Sequence, residues 1–240
     1  MNTAVREWMA SARRIAVLTG AGVSAESGVP TFRDAQTGLW ARYRPEDLAT
    51  EAAFRAHPAR VWDWYAMRRA MLAGAAPNAA HRAIAAFQQR HPRRLTLITQ
   101  NVDGLHQRAG SPDVLALHGN LLEDRWLDAA RDCCRAGTAV AGRPPSCPRC
   151  GNMRRPAVVW FGEALPWQVL EAARRAAREC DLMLVVGTSG RVQPAAGLAR
   201  GVPVPAKLVI VNPEPTELDD AAHAVLRGMA AELLPDLLED

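Results

Sequence analysis

Four short apolar runs, each closing on small or polar residues, constrain this chain more than any other feature. They read "RIAVLTGAG" (14–22), "RLTLITQN" (94–101), "DLMLVVGTS" (181–189) and "KLVIVNPEP" (207–215). None alternates apolar with polar residues, so each is expected to be a strand covered on both faces, as in a parallel sheet flanked by helices. Helical patterns lie between them, roughly over 58–73, 78–90, 166–179 and 217–227. The alternation predicts an α/β fold with a doubly wound parallel sheet. Ligands of such sheets bind outside the carboxyl ends of the strands, where this chain carries its glycines, amides and carboxylates.

The 240 residues are 49% hydrophobic, enough for a substantial core. No apolar run approaches the ~18 residues of a membrane span. "MNTAVREWMASARR" carries Glu7 and no apolar stretch of its own, so it does not read as a secretory signal. A soluble, cytoplasmic protein without a membrane partner is expected. Net charge is only +4, and all but one of the 29 basic residues are arginine, with Lys207 the exception. They are scattered among acidic residues, with no stripe of basic and aromatic side chains, so no nucleic-acid partner is expected. No heptad repeat suggests a coiled coil, and a monomer is expected.

Residues 121–156 break the alternation. They hold Pro144, Pro145 and four of the five cysteines, Cys133, Cys134, Cys147 and Cys150. A cluster of this kind in a reducing compartment points to metal rather than disulfides. The expected organisation is a catalytic domain over 1–120 and 157–240, with a small cysteine-containing module inserted at 121–156. Cys180, beside an apolar run, reads as a buried core residue.

After the first strand, Gly20, Gly22 and Ala25 fit the spacing G-x-G-x-x-G/A of dinucleotide loops. There, glycines allow a tight turn and close approach to a pyrophosphate, and the next helix adds its N-terminal dipole. The acid that usually follows about 20 residues later, after a second strand, is missing. The chain runs instead through "GVPTFRDAQTGLWARY", where Arg33 could meet a pyrophosphate. Gln100, Asn101 and Asp103 follow the second strand, groups able to hold ribose hydroxyls and a carboxamide. His118 in "LHGN" could serve as a general base. Taken singly, Asn101 and Asp103 also suit a turn, and His118 a strand end.

Together "GAGVSAESGVPTFR", "TQNVDGLHQRAG", "LHGN", "VVWFGE", "GTSGRVQP" and "VNPEP" resemble the sirtuins, the NAD-dependent protein-lysine deacylases. The motifs occur in that family's order over nearly the whole chain. The resemblance implies a Rossmann-like domain carrying a small zinc-ribbon-like module, with NAD consumed in the reaction and structural zinc. It implies that Gly20, Ala21 and Gly22 line the dinucleotide pocket, with Phe32 and Arg33 on the cofactor loop. Gln100, Asn101 and Asp103 would surround the nicotinamide ribose, with Asn101 and Asp103 taking part in catalysis. Gly187, Thr188 and Ser189 would face phosphates and ribose, and Ala230 the adenine. Asn212 and Glu214 would hold the adenosine ribose, which accounts for the missing acid. Val159, Trp160, Phe161, Gly162 and Glu163 would pair in extended form with the backbone of an acylated protein substrate. The acyl oxygen would attack the ribose carbon bearing nicotinamide, and His118 would take a proton relayed from a ribose hydroxyl. The products would be free lysine, nicotinamide and acyl-ADP-ribose.

Two departures stand out. Sirtuins usually carry two C-x-x-C pairs; Cys147 and Cys150 match the second, but Trp126 and Ala129 stand where the first is expected. Cys133 and Cys134 are adjacent, so shared ligation implies a strained backbone, or one ligand with Asp128, Asp132 or water completing the shell; loss of the metal, with the insert held by packing, is the other reading. In "VWDWYAMRRAM", Tyr65 and Arg68 share a helix face. A Tyr-x-x-Arg pair there resembles the sirtuins that remove succinyl and malonyl groups, with Ala49 leaving room for the longer chain. Desuccinylase and demalonylase activity beside deacetylation is therefore expected. An ADP-ribosyltransferase or NAD glycohydrolase on the same fold is one alternative, and a non-catalytic NAD-sensing module another.

Overall fold

The computed structural model describes residues 3–30, 45–135 and 141–239. Phe32 and Arg33 lie outside the described residues. Six parallel strands form the main sheet: β1 (Ile15–Thr19), β2 (Leu95–Thr99), β3 (Leu115–Ala116), β6 (Leu182–Val186), β7 (Lys207–Val211) and β8 (Ala224–Leu226), in the order β3-β2-β1-β6-β7-β8. Crossing from β1 to β2 on one side and to β6 on the other makes the sheet doubly wound, with the reversal at β1.

Residue alternation along each strand builds the two cores. Ile15, Val17, Leu95, Leu97, Leu184 and Val209 point to one face, where α1 (Thr3–Ser11), α5 (Ala79–Arg90) and α10 (Ala230–Leu237) supply Val5, Ile84 and Leu234. Ala16, Leu18, Ile98, Met183, Val185 and Ile210 point to the other, against Ala173 and Ala177 of α8 (Trp167–Glu179) and Leu198 of α9 (Ala195–Arg200). A period of two with both faces apolar gives the unbroken runs seen in the sequence.

The helical patterns at 58–73, 78–90 and 166–179 correspond to α4 (Pro58–Ala73), α5 and α8. Pro58 opens α4 at a position where its missing N–H costs nothing. The Asn78 side chain accepts from the N–H groups of Ala80 and His81, capping α5. The pattern at 217–227 does not form a helix. It makes a short 3-10 turn over Asp219–Ala221 and then β8. Ala222 is already extended, His223 N–H donates to Leu208 O at 2.8 Å, and Ala224–Leu226 complete the edge of β7. Pairing with an open strand edge overrides a short helical pattern.

A third core lies off the sheet. β4 (Gly119–Trp126) and β5 (Arg154–Val158) form an antiparallel pair spanning the cysteine-containing stretch. Leu121, Val158 and Trp160 pack with Phe54 of α3 (Glu51–Ala56) and with Val61, Trp64, Tyr65 and Leu72 of α4. Arg69 fastens α4 to β4 by donating to the carbonyls of Leu121 and Glu123 and pairing with Asp124. The inserted stretch thus shares its core with residues 48–72, which the sequence pattern had grouped with the sheet. No described helix is long and apolar enough to cross a membrane.

Candidate active site

The glycine loop packs onto the end of β6. A Cβ on Gly20 would lie 2.6 Å from the Thr188 Cβ, and one on Gly22 2.8 Å from the Gly187 Cα. Gly187 has φ +62, and a Cβ there would run into the Val23 backbone nitrogen. Glycine is required here first for loop-on-loop approach. The helix that follows, α2 (Gly22–Ala25), is a single turn, so the expected dipole contribution at its N-terminus is small. Ala21 sits as its N-cap.

Three strand ends are tied together by amides. Gln100 Nε2 donates to Thr188 Oγ1 at 3.1 Å. Asn101 Nδ2 donates to Gly20 O at 3.1 Å and Ser24 Oγ at 3.2 Å. Ser24 Oγ donates in turn to Asp103 Oδ2 at 2.8 Å, and Asp103 Oδ1 accepts the Leu105 N–H at 2.8 Å. Burial pushes the Asp103 carboxyl upward in pKa, partly opposed by these two hydrogen bonds. Amide, hydroxyl and carboxylate groups thus converge at the sheet's reversal point, a set of donors and acceptors suited to ribose and carboxamide.

His118 is oriented by its backbone neighbour. Its Nδ1 lies 2.9 Å from Gln100 O. A carbonyl only accepts, so Nδ1 carries the proton and Nε2 keeps its lone pair. Burial lowers the His118 pKa, against the raising effect of that hydrogen bond. The ring is therefore neutral at pH 7, able to accept a proton at Nε2.

Beyond the end of β7, Asn212 Nδ2 donates to Glu214 O at 2.6 Å, and Arg227 Nη1 donates to the same carbonyl at 2.9 Å. Ser189 O accepts the Glu217 N–H at 3.0 Å, which holds the β6 loop to the β7 loop. Ala230, at the start of α10, is buried in the core. The neighbouring Ala231 N–H is capped by Glu26 at 2.9 Å.

Within 158–163 only Val158 belongs to a strand, the last residue of β5, and a turn follows at residues 161–162. Val159 N–H donates to His118 O at 2.8 Å and Phe161 N–H to Ala49 O at 2.9 Å, and Gly162 then turns at φ +86. Glu163 folds back to accept the Trp160 N–H at 2.8 Å. The N–H groups of residues 159–161 are therefore bonded within the chain, and the expected extended run through Glu163 ends in a turn. Phe161 is 57% exposed.

Tyr65 is 2% exposed, and its hydroxyl accepts the Trp160 Nε1–H at 2.8 Å. The Arg68 guanidinium lies 5.0 Å from the Trp64 ring centre and 5.8 Å from that of Tyr65. Burial lowers the Arg68 pKa, and the Asp103 carboxylate opposes that shift. Arg68 thus lies within the field of the Asp103 carboxylate.

All four module cysteines bring their sulfurs within 4.8 Å of one another. Cys133 and Cys134 both lie in α7 (Asp132–Arg135), a helical turn, so adjacency imposes no unusual backbone. Asp128 instead pairs with Arg55 and, through its backbone, with Asn152. Backbone N–H groups of Cys150 and Arg149 draw the Cys147 thiol down to about 7. Neighbouring thiols push Cys133 up to about 12. Four sulfurs at this spacing fit tetrahedral zinc, whose Zn–S bonds are about 2.3 Å, with Cys133, Cys134, Cys147 and Cys150 as ligands. Cys180 is buried, with burial raising its thiol to about 11.

One group had no signal in the sequence. His81 and His106 lie with ring centres 4.7 Å apart and planes tilted by 56°, behind Ser24 and Thr19. Burial pushes them down to about 4 and about 3. Thr19 Oγ1 lies 3.0 Å from His106 Nε2 and bonds Thr99 Oγ1 at 2.8 Å.

A model of the Sir2 family matches residues 20–194. An NAD-dependent protein deacylase of Ralstonia nicotianae is 58% identical over 97% of this chain and 94% of its own length. A Sir2 homologue mutant solved with ADP ribose superposes with a TM-score of 0.89 at 42% identity, covering 99% of this chain and 95% of that one. A Sir2–p53 peptide–NAD+ complex gives 0.84 at 31% identity, covering 99% and 98%. The chain belongs to the Sir2 family.

Proposed function

We propose that this chain is an NAD-dependent protein-lysine deacylase that removes succinyl and malonyl groups as well as acetyl groups. The observation that carries the reading is His118: neutral, with Nδ1 held by Gln100 O and Nε2 free of that bond. Gly20, Ala21, Gly22, Gln100, Gly187, Thr188, Ser189, Asn212, Glu214 and Ala230 are assigned to NAD, and so are Phe32 and Arg33, which lie outside the described residues. NAD, when bound, supplies a ribose carbon that can lose nicotinamide and take the acyl group. Asn101 and Asp103, tied through Ser24, hold that ribose in register, and His118 accepts a hydroxyl proton.

The substrate enters as an extended peptide beside Val159–Phe161. The N–H groups of residues 159–161 are bonded within the chain, so the peptide takes no hydrogen bond from them. Tyr65 and Arg68 receive the acyl carboxylate, with Ala49 leaving space. Arg68 lies on a helix face with Tyr65 and in the field of Asp103, which supports a guanidinium at the acyl end of the site. The 121–156 stretch acts as a zinc-stabilised module, and the protein works as a cytoplasmic monomer without nucleic acid. The test is turnover of matched succinyl-, malonyl- and acetyl-lysine peptides with NAD. Succinyl turnover below one-tenth of acetyl turnover refutes the acyl assignment.

A further inference from the structure

The Trp160 indole is gripped from several sides. The Arg155 guanidinium carbon lies 3.2 Å from its ring centre, and the Phe54 ring packs against it at 5.3 Å, tilted by 40°. The Arg155 side chain is 1% exposed; it pairs with both Glu163 oxygens and donates to Val158 O at 2.8 Å. Glu163 accepts the Trp160 backbone N–H. An indole has one polar hydrogen and no acceptor, and that of Trp160 goes to the Tyr65 hydroxyl at 2.8 Å.

A phenol both accepts and donates, but it has a single proton. With the indole N–H on one lone pair of Tyr65, the phenol proton cannot point back at Trp160 and is turned to the other side. Arg68 follows one turn along α4, its guanidinium 5.8 Å from the Tyr65 ring. Two donors are then presented from one helix face, a guanidinium and an oriented O–H, and that pairing suits a carboxylate.

We propose that Trp160 is a positioning residue for acyl selectivity: its indole N–H fixes the Tyr65 hydroxyl as a donor toward the carboxylate that Arg68 holds. This rests on the succinyl and malonyl reading given above. An acetyl group has no carboxylate, so it gains nothing from an oriented Tyr65 proton. Selectivity is thereby tied to the buried Arg155–Glu163 pair, which keeps the indole in place.

Trp160→Phe retains a ring for Arg155 and Phe54 and removes the N–H together with part of the indole's buried volume, a loss of packing that acetyl- and succinyl-lysine turnover share and the ratio cancels. The KM for a succinyl-lysine peptide should rise about three- to tenfold with a smaller change in kcat, the scale of one lost hydrogen bond. The succinyl-to-acetyl ratio of kcat/KM should fall by the same factor. In a Tyr65→Phe background, Trp160→Phe should lower that ratio no further, because the two residues act as a unit. A ratio that holds, or one that falls again in the double variant, overturns the proposal. Should Trp160→Phe fail to fold, the wild-type protein labelled with 15N-indole tryptophan decides. The indole signal displaced by Tyr65→Phe should move more with succinyl-lysine peptide than with acetyl-lysine peptide, and equal movement overturns the proposal. A wild-type enzyme that does not act on succinyl-lysine refutes the acyl reading, and this inference with it. A ratio lowered by Arg68→Met but not by Trp160→Phe refutes the role of Trp160 alone.

Discussion

Replacing Arg68 by methionine separates a carboxylate ligand from a structural cation. Methionine keeps an unbranched apolar stem over Trp64 and removes the guanidinium, which lies 5.0 Å from that ring centre. The lost cation–π contact costs about 1 kcal/mol of stability, which lowers Tm by about 2–4 °C in a chain of this size. That loss falls on every substrate alike. The lost charge-assisted hydrogen bonds fall only on an acyl group with a carboxylate, at about 1.5–3 kcal/mol. The ratio of kcat/KM for succinyl-lysine over acetyl-lysine should therefore drop about ten- to a hundredfold, mostly through the KM for succinyl-lysine. The assay is peptide turnover with saturating NAD, followed by mass spectrometry, beside a melting curve. If both substrates lose activity by the same factor, Arg68 is structural and the acyl assignment fails.

His118→Ala should abolish deacylation while NAD binding, followed by calorimetry, persists; turnover within tenfold of wild type refutes its role as base. Burial holds the His118 pKa below its ordinary value, so the acid limb of kcat/KM should lie below pH ~6.5; a limb above pH 7 contradicts a neutral resting base. Stoichiometric zinc, measured by elemental analysis, should be lost from a Cys147→Ser/Cys150→Ser double variant, and full zinc there removes the assignment. His81 and His106 titrate at about 4 and about 3 in the folded chain against ~6.5 unfolded. The unfolded state then binds more protons below pH ~6.5, so stability should fall from there toward pH 4, on the order of 3 kcal/mol per histidine. A urea midpoint that is flat over that window refutes the buried neutral pair.

Much of the fold was legible because a buried parallel strand has an unmistakable composition. Ile15–Thr19 and Leu182–Val186 are buried at every position, and no amphipathic helix or half-exposed strand produces that run. The 217–227 segment misled because its helical spacing is local, whereas the β7 edge that recruits Ala224–Leu226 is brought near by the tertiary fold. The shared core of α4 and the cysteine module was illegible for the same reason, since Trp64 meets Leu121 and Trp160 only in space. At the site, Gly20, Asn101, Asp103 and His118 announced themselves as polar or small residues at strand ends. Ser24, which joins Asn101 to Asp103, reads in the sequence as one more small residue in a loop. His81 and His106 give no clue that they meet, being 25 residues apart on separate helices. The cysteines looked awkward because adjacency suggests strain in an extended chain, while a helical turn turns both sulfurs toward Cys147 and Cys150.

The most direct test of the central claim is the stoichiometry of the products. The protein is incubated with NAD and one succinyl-lysine peptide, and all species are counted by mass spectrometry. The account predicts free-lysine peptide, nicotinamide and succinyl-ADP-ribose in equal amounts. Nicotinamide released with the peptide still succinylated, together with free ADP-ribose or ADP-ribosylated protein, would contradict it.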